Sequence, residues 1–373
     1  MPRHKTEMLL LASFLLILGL PAAVLGAAAG SALQKAKQES EAKGFIFETS
    51  RDEIIAKAKK EGRLRVLTSL EIESLKPVSE AFKKKYPFID LRADEIAGTD
   101  TYQRMILEMK AGTASGWDVN YLTTDYYDDY FPYLKKFDVL GMAQHGVLQI
   151  PTGMIDPTNR NIISYTTNTQ IVAYNKKMIA EANLPNTWED FLKPEFKGKK
   201  FMVDIRPLGF AALASGLGEK WTMEYAGRIA AQEPVWVRGQ SRALAAIVAG
   251  EHAMLHLAYY HSCQRAAKKD PSGSLECKVI EPVPGRIQEF TAINSTAPHP
   301  YTSLLWLEFQ ASPEGQKIVE DFEPMNTSIY APDSALAKTL QGKKVSISNW
   351  DSLHNTAKWE EMVLKVFGFP KAE

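Results

Sequence analysis

Apolar residues recur at two different spacings along this chain, and the way these spacings alternate predicts its helices and strands. The segment LKPVSEAFKKKYP places Leu75, Val78 and Phe82 at helical spacing and ends at Pro87. The segments RLRVLTSL before it and FIDLRADEI after it carry apolar or β-branched residues at alternate positions, which is typical of strands. A strand, a helix and a second strand in this order predict a parallel sheet and an α/β fold.

Similar patterns predict further elements on both sides of this unit. In SRDEIIAKAKKEG, Ser50 is placed to cap a short helix that stops at Gly62. Further along, TYQRMILEMKAG predicts a helix, WDVNYLT a strand and IISYTTNTQIVAYN a longer β-rich stretch. Near the end, PYTSLLWLEFQASPEGQKIVEDF predicts two helices separated at Ser312 and Pro313. Residues 32–43 are polar without an apolar period, so we expect a flexible leader over residues 30–50.

The amino terminus has the composition of a secretory signal peptide. Arg3 and Lys5 precede an apolar run over residues 8–24, which is followed by small residues. We expect a signal peptide over residues 1–29, with cleavage after Gly26 or Ala29, and a mature protein in the periplasm. An uncleaved membrane anchor is the alternative, because the run approaches the roughly 20 apolar residues that span a bilayer.

Charge composition and cysteine content limit the kinds of partner and indicate a disulfide. Lysine plus arginine and aspartate plus glutamate number 44 each, which argues against nucleic-acid or anionic-membrane partners, since both need a basic face. Cys263 and Cys277 are expected to form one disulfide in an oxidising compartment, with two separate thiols as the alternative. The length suggests two domains.

Ligands of parallel α/β sheets bind beyond the carboxyl ends of the strands. The loop after the first strand contains Ser69 and Glu71, and the strand WDVNYLT and the loop after it contain Tyr121 and Asp125. We expect these four side chains to face a ligand.

Two further segments carry basic and hydroxyl groups just before predicted helices. Arg206 precedes one predicted helix, and Arg238 and Ser241 precede another. Helix N-termini and guanidinium groups bind anions, so these residues are candidate anion ligands. Salt bridges at the surface or between lobes are the alternative role for the arginines.

The segment EHAMLHLAYYHSC holds three histidines and two adjacent tyrosines. In a strand with a side-chain period of two, His252 and His256 share one face, about 13 Å apart, and His261 lies on the other. A three-histidine metal site is therefore not expected from this segment alone.

Several stretches together resemble the two-lobed solute-binding proteins of bacterial ABC importers, in the class related to iron(III), thiamine and polyamine binders. They are AKKEGRLRVLTSLE, EAFKKKYPFIDL, WDV, LPNTWEDFLKPEFKGK, AGE and APHPYTSLLWLEFQASPEGQKI. The resemblance implies a ligand cleft between two α/β lobes, crossed by the chain near residues 165–173 and 291–297. It also implies a monomer without enzymatic activity that closes on its ligand and docks on a permease with its ATPase.

On this basis the chain divides into six parts. After the signal peptide and the leader, we expect residues 51–168 in lobe 1, 169–292 in lobe 2 and 293–332 back in lobe 1. Residues 333–373 are expected to form a helical segment packed on lobe 2.

The resemblance also implies a ligand. Iron(III) binders of this class carry adjacent tyrosines after a Gly-Glu turn, which makes Tyr259 and Tyr260 candidate metal ligands and Glu71 a candidate donor from the other lobe. Iron(III) would be the transported ligand, with an accompanying anion near Arg206 or Arg238, and no resident cofactor is expected. The sequence departs from the iron pattern at Glu71, where a histidine is usual, and at Leu257 and Ala258, which replace asparagines.

Other functions remain open. The same class of protein could bind a small organic anion, a phosphonate or a polyamine, with the tyrosines as walls of the cleft. A secreted hydrolase is a further alternative, although the chain contains no GxSxG, HExxH, phosphate-loop or dinucleotide motif.

Overall fold

The computed structural model describes residues 22–96, 99–113, 116–122 and 124–369. Fourteen α-helices lie within this part of the chain. In chain order they are α1 Ala22–Ala42, α2 Arg51–Glu61, α3 Ile72–Lys85, α4 Thr99–Lys110, α5 Tyr127–Tyr130, α6 Val139–Gln144, α7 Leu208–Leu217, α8 Glu219–Ala231, α9 Gln240–Val248, α10 Tyr260–Lys269, α11 Pro300–Ala311, α12 Pro313–Phe322, α13 Ala335–Leu340 and α14 Thr356–Phe367.

The described residues also contain ten strands. They are β1 Arg63–Thr68, β2 Asp90–Glu95, β3 Val119–Leu122, β4 Ile162–Asn175, β5 Met202–Asp204, β6 Val235–Val237, β7 Met254–Tyr259, β8 Leu275–Lys278, β9 Val283–Ile293 and β10 Val345–Ser348. The strand order is β2-β1-β3-β9-β4-β7-β5-β6, with β10 on β9 and β8 on β4. β1 is parallel to β2 and β3, and β5 is parallel to β6 and β7.

The two long strands β4 and β9 join two α/β lobes. The first part of β4 pairs antiparallel with β9, and its last part pairs with β7 and β8. Lobe 1 is built on β1, β2 and β3, and its core includes Phe82 and Trp306. Lobe 2 is built on β5, β6 and β7, and its core includes Trp188 and Phe201. The predicted α/β fold with two lobes is confirmed.

The predicted elements agree with the structure in detail. Ser50 caps α2 by accepting a hydrogen bond from the Glu53 amide, and Gly62 ends the helix with a φ of 62°. Strand β4 covers the β-rich stretch, and α11 and α12 separate at Ser312 and Pro313.

The prediction of a flexible leader is wrong for residues 30–42, which belong to α1. Leu33, Ala36 and Ser40 recur at helical spacing; the first two pack on the core of lobe 1, and the Ser40 hydroxyl donates a hydrogen bond to Asp138 at 2.8 Å. The period was hidden because these contacts come from small or polar residues.

The predicted signal peptide falls mostly outside the described residues, which begin at Ala22. Within those residues no helix has both the length and the apolar character needed to cross a bilayer. The signal peptide stays a prediction.

The carboxyl-terminal segment is not purely helical. Its strand β10 pairs in parallel with residues 283–286 of β9, while α14 packs against α7 and α8. The segment therefore contacts helices of lobe 2 and also reaches the crossing strand. The second predicted crossing, residues 291–297, overlaps only the end of β9, and the residue limits of the lobes stay a prediction.

Cys263 and Cys277 form the predicted disulfide, which links α10 to β8. The bond holds the start of α10, immediately after Tyr259, against the edge of lobe 2.

Candidate functional site

The predicted site residues lie at the carboxyl ends of strands from both lobes. Ser69 and Glu71 follow β1 of lobe 1, Arg206 follows β5, Arg238 follows β6, and Tyr259 is the last residue of β7. Glu71 after β1 is hydrogen-bonded to Arg265 of α10, the helix that follows β7, so the strand ends of the two lobes face a common cleft.

Tyr259 lies inside this cleft, partly buried. Burial raises the pKa of its phenol, while the charges of Arg286 and Arg206 act in the opposite direction. Its ring stacks on His261, with the centroids 5.8 Å apart and the planes at 17°. No described residue hydrogen-bonds to its hydroxyl, which leaves this group available to a ligand.

A chain of polar contacts fixes the backbone of Tyr259. Its amide donates to the Gln240 side chain at 3.2 Å, and Gln240 donates to Asp204 Oδ2 at 3.2 Å. Asp204 also accepts two hydrogen bonds from the guanidinium of Arg206, at 2.7 and 3.2 Å. Arg206 is thus oriented by a buried carboxylate and remains half exposed on the cleft side.

Tyr260 faces away from Tyr259. It is 7% exposed and packs with Ala258, Cys263 and Leu275 in a core cluster of lobe 2. Burial raises the pKa of its phenol, and a hydrogen bond with Gln264 lowers it. In this conformation only the first tyrosine of the pair reaches the cleft.

A β-bulge in β7 decides which of the two tyrosines faces the cleft. The register with β4 shifts between Ile171 and Ala173, and Leu257 adopts a φ of 54°. His256 and Leu257 consequently both pack in the cluster of Trp188, although a regular strand would place them on opposite faces. The period-two assignment of faces is therefore wrong beyond His256.

The three histidines occupy separate environments. His256 is 1% exposed, its Nε2 lies 2.8 Å from the Tyr225 hydroxyl, and burial lowers its pKa to about 3. His261 borders the cleft, where burial and the charge of Arg265 lower its pKa to about 4. Neither contributes to a shared metal site. Among the described residues, no group of three or more His, Cys, Asp or Glu side chains could hold a metal ion.

Glu71 does not lie beside the tyrosines. Its Oε1 accepts a hydrogen bond from Nη1 of Arg265 in α10 at 2.7 Å, and both side chains are about one-third exposed or more. The contact joins the two lobes across the mouth of the cleft. The role of Glu71 as a metal donor stays a prediction.

Three further predicted site residues are Tyr121, Ser69 and Asp125. Tyr121 is in β3, with its ring 5.5 Å from that of Tyr102, and burial raises the pKa of its phenol. The Ser69 hydroxyl is buried at the loop after β1 and has no hydrogen-bond partner. The backbone of Asp125 forms a short 3-10 helix, and its side chain lies outside the described part of the chain.

Arg238 and Ser241 are exposed at the outer side of the cleft. Ser241 lines a groove of about 580 Å³ together with Glu71, His261 and Arg265. The helix α9 that follows Arg238 begins at Gln240, so Ser241 lies in its first turn and not ahead of it as predicted. The assignment of both residues to ligand binding stays a prediction.

Two residues of the crossing strand β9 were missed by sequence reasoning. Arg286 donates from Nε to Gln288 Oε1 at 3.0 Å and stands close enough to Tyr259 to influence its pKa. Glu289 has a carboxyl oxygen that is buried without a partner. The available signal was the presence of two charged residues in VPGRIQEFTAI, a strand that is otherwise mostly apolar.

The fold is similar to that of solved iron-binding proteins. Apo ferric ion-binding protein A of Pasteurella haemolytica aligns over 84% of this chain and 100% of its own, with a TM-score of 0.63 and 16% identity. A Trichodesmium protein in complex with iron and citrate aligns over 82% of this chain and 99% of its own, with a TM-score of 0.62 and 18% identity.

A third solved structure, iron-bound HitA from Pseudomonas aeruginosa, aligns over 82% of this chain and 99% of its own, with a TM-score of 0.56 and 19% identity. At these identities the similarity shows the fold. No curated protein sequence matches the chain.

The sequence itself matches a family profile over residues 124–356, more than half of the chain. This region includes both crossing strands, most of lobe 2 and the cleft residues Arg206, Tyr259 and Arg286. The chain belongs to the family of bacterial extracellular solute-binding proteins.

Proposed function

We propose that this protein captures an anionic solute between its two lobes and delivers it to the permease of an ABC importer. The observation that carries the proposal is the chain of hydrogen bonds that runs from Arg206 through Asp204 and Gln240 to the Tyr259 amide, with the charges of Arg206 and Arg286 acting on the Tyr259 phenol. Two guanidiniums and a phenolic hydroxyl form a set of donors suited to a carboxylate, a phosphonate or a similar oxyanion.

The positions of these three residues favour capture by closure of the lobes. Arg206 and Tyr259 belong to lobe 2, and Arg286 lies in a strand that crosses between the lobes. A solute held by this set and by the loop after β1 would stabilise the closed form through contacts that the open form lacks. No chemical conversion of the solute is part of the proposal.

The two arginines are prepared for an anion in different ways. Arg206 is already paired with Asp204. This pairing neutralises part of its charge but fixes the orientation of its guanidinium group. Arg286 contacts the neutral Gln288, and its Nη1 lies 3.8 Å from Glu360. Because its ion pair is longer, Arg286 should contribute more of the net positive charge that the solute meets.

Iron(III) accompanied by an anion is a second candidate, favoured by the unpartnered hydroxyl of Tyr259. A hard trivalent cation would displace the phenol proton and bind the phenolate, with the anion on the arginines. The solved neighbours described as ferric ion-binding or iron-bound support this candidate. Tyr260 would have to leave its core position to become a second phenolate ligand.

A thermal-shift screen tests the proposal. The mature protein would be melted with small mono-, di- and tricarboxylates, alkylphosphonates and ferric citrate, with visible absorption recorded for the iron sample. We expect at least one acid to raise the melting temperature of the wild type. The shift should disappear in Arg286→Gln and persist in Arg63→Gln, whose exposed arginine at the start of β1 lies at the opposite end of that strand.

The ferric citrate sample tests the iron candidate separately. A phenolate-to-iron absorption band that is lost in Tyr259→Phe would make iron the ligand. Failure of every acid and of ferric citrate to stabilise the protein would contradict the proposed function.

A further inference from the structure

Glu289 has an unusual backbone conformation within the crossing strand β9. Its φ is 57°, in a region that side-chain-bearing residues seldom adopt because it strains the backbone. Gln288 and Phe290 pair with Thr166 and Ser164, while Glu289 interrupts the ladder between them. The strand therefore holds one strained residue at the junction of the lobes.

The carboxyl group of Glu289 is also poorly satisfied. Its Oε2 is buried without a hydrogen-bond partner, and no described residue donates to either of its oxygens. A buried carboxyl usually accepts several hydrogen bonds, because leaving it unpaired costs free energy. Strain and an unpaired carboxyl oxygen at one position of the strand that joins the lobes together point to a functional role.

The nearest arginine does not neutralise this acid. Arg286 lies three residues earlier on the same strand, but its Nε is bound to Gln288 at 3.0 Å and its Nη1 faces Glu360 at 3.8 Å. The charge of Arg286 acts on the Glu289 carboxyl, but no hydrogen bond or ion pair joins the two side chains among the described residues.

Aromatic rings line the surroundings of Glu289. The rings of Tyr102 and Tyr121 are 5.5 Å apart, and both phenols have a pKa raised first by burial and then by the charge of Glu289. Tyr165, whose hydroxyl lies 3.4 Å from Thr68 Oγ1, is affected in the same way. An acid surrounded by tyrosine rings attracts organic ammonium groups, through its charge and through cation–π contacts.

We propose that Glu289 binds an ammonium group of the solute, so that the solute is zwitterionic. Its acid group would contact Arg286, Arg206 and the Tyr259 hydroxyl, and its ammonium group would contact Glu289 and the neighbouring tyrosine rings. This inference rests on the proposed function and narrows its ligand to an amino acid-like compound.

The spacing along β9 limits the length of the solute. Arg286 and Glu289 are three residues apart, which is about 10 Å between Cα atoms in an extended strand. The positive φ of Glu289 breaks the extended backbone and shortens this span. An acid and an amine separated by a short aliphatic chain would therefore fit, as in β-alanine, γ-aminobutyrate and 5-aminopentanoate.

The protonation state of Glu289 provides a second test of ammonium binding. Burial and the charge of Glu323 raise the pKa of Glu289 to about 8, and Arg286 opposes them, so the free protein carries a mostly neutral acid at pH 7. An ammonium group would favour the ionised form and release a proton on binding. The titratable groups around Glu289 are Tyr102, Tyr121, Tyr165, Arg286 and Glu323.

Isothermal titration calorimetry with matched probes tests the inference. Each ω-amino carboxylate would be compared with the carboxylate of the same length without the amine: β-alanine with propionate, γ-aminobutyrate with butyrate and 5-aminopentanoate with pentanoate. For at least one pair we expect the amino compound to bind the wild type at least 10-fold more tightly. In Glu289→Gln this preference should fall below threefold, while the affinity for the plain acid is retained.

The dependence of the binding enthalpy on the buffer is an independent test. At pH 7 the binding enthalpy of the amino compound should depend on the ionisation enthalpy of the buffer in the wild type, but not in Glu289→Gln. A second variant, Glu289→Gly, relieves the positive φ; we expect it to melt at a higher temperature and to lose the preference for the amine.

Three outcomes separate the two proposals. Plain acids that bind as tightly as their amino partners in the wild type would overturn the zwitterion inference and leave the proposed function standing. Retention of the amine preference in both Glu289 variants would also overturn it. Failure of every probe in both series to bind would contradict the inference, whereas the proposed function depends on the wider screen of acids.

Discussion

The Glu71 carboxylate and the Arg265 guanidinium meet at 2.7 Å and connect the loop after β1 to α10. This is a contact between lobes, made by a residue that sequence reasoning assigns to metal binding. Since both side chains are partly exposed, the pair contributes little to the free energy of unfolding, about 0–1 kcal/mol. Its consequence lies in the equilibrium between open and closed lobes.

Removing either partner should therefore shift the lobes towards the open form. We expect Glu71→Gln and Arg265→Gln each to weaken solute binding by about two- to fivefold, and the double variant to weaken it no further, because the two changes remove one interaction. Titration calorimetry with the tightest-binding acid from the screen measures all four proteins. A loss in Glu71→Gln many times larger than that in Arg265→Gln would instead make Glu71 a direct ligand.

The two adjacent tyrosines should behave differently. Tyr259→Phe removes a hydroxyl exposed to the cleft and should weaken solute binding by about 10- to 150-fold, the value of one hydrogen bond to a charged group. Tyr260→Phe removes a hydroxyl from a core side chain and should leave the affinity within twofold. The two affinities are measured in parallel, and equal losses would contradict the assignment of Tyr259 alone to the cleft.

Acid should destabilise the protein through its buried histidines. Burial lowers the pKa of His256 to about 3 and, with Arg265, that of His261 to about 4, so the unfolded chain binds protons below about pH 6.5 that the folded protein does not. Each group would make the free energy of unfolding fall by up to about 1.4 kcal/mol per pH unit between its folded and unfolded pKa values.

Urea unfolding at pH 7 and pH 5 tests this expectation. We expect a clear loss of stability at pH 5 in the wild type and a smaller loss in His261→Gln, whose side chain borders the cleft and whose replacement should preserve the fold. His354→Gln, an exposed histidine outside the cores, is the control and should follow the wild type. Equal pH dependence in all three proteins would count against buried neutral histidines.

The disulfide between Cys263 and Cys277 should stabilise the lobe that carries Tyr259. It closes a loop of 14 residues, for which chain entropy gives about 3 kcal/mol. The double serine variant should unfold at lower urea concentration than the wild type, by a difference of this size. In reducing buffer the wild type should lose the same stability, and an unchanged midpoint in both tests would contradict this role.

The sequence was informative wherever one local rule decided the structure. The cap at Ser50, the stop at Gly62 and the break at Pro313 are short-range effects, and all three occur as predicted. The bulge at Leu257 was not predictable in this way, since it arises from pairing between β7 and β4, which are distant in sequence. That single irregularity decides which tyrosine faces the cleft.

The partners of the site residues were also beyond a sequence reading. Arg206 precedes a helix as predicted, but its pairing with Asp204 and the contribution of Arg286 depend on how the strands assemble. No sequence motif marks Glu289, because the features that distinguish it are a positive φ and an unpaired carboxyl oxygen. These properties exist only in the folded chain.

The central claim is that an anionic solute closes the two lobes through the cleft arginines. The most direct measurement is the distance between spin labels on cysteines introduced at Lys84 of α3 and Lys220 of α8, one exposed position on each lobe. Saturating acid should shift the distance distribution of the labelled protein, and the added Arg286→Gln change should abolish the shift. A distribution that does not move while the acid is bound would contradict capture between the lobes.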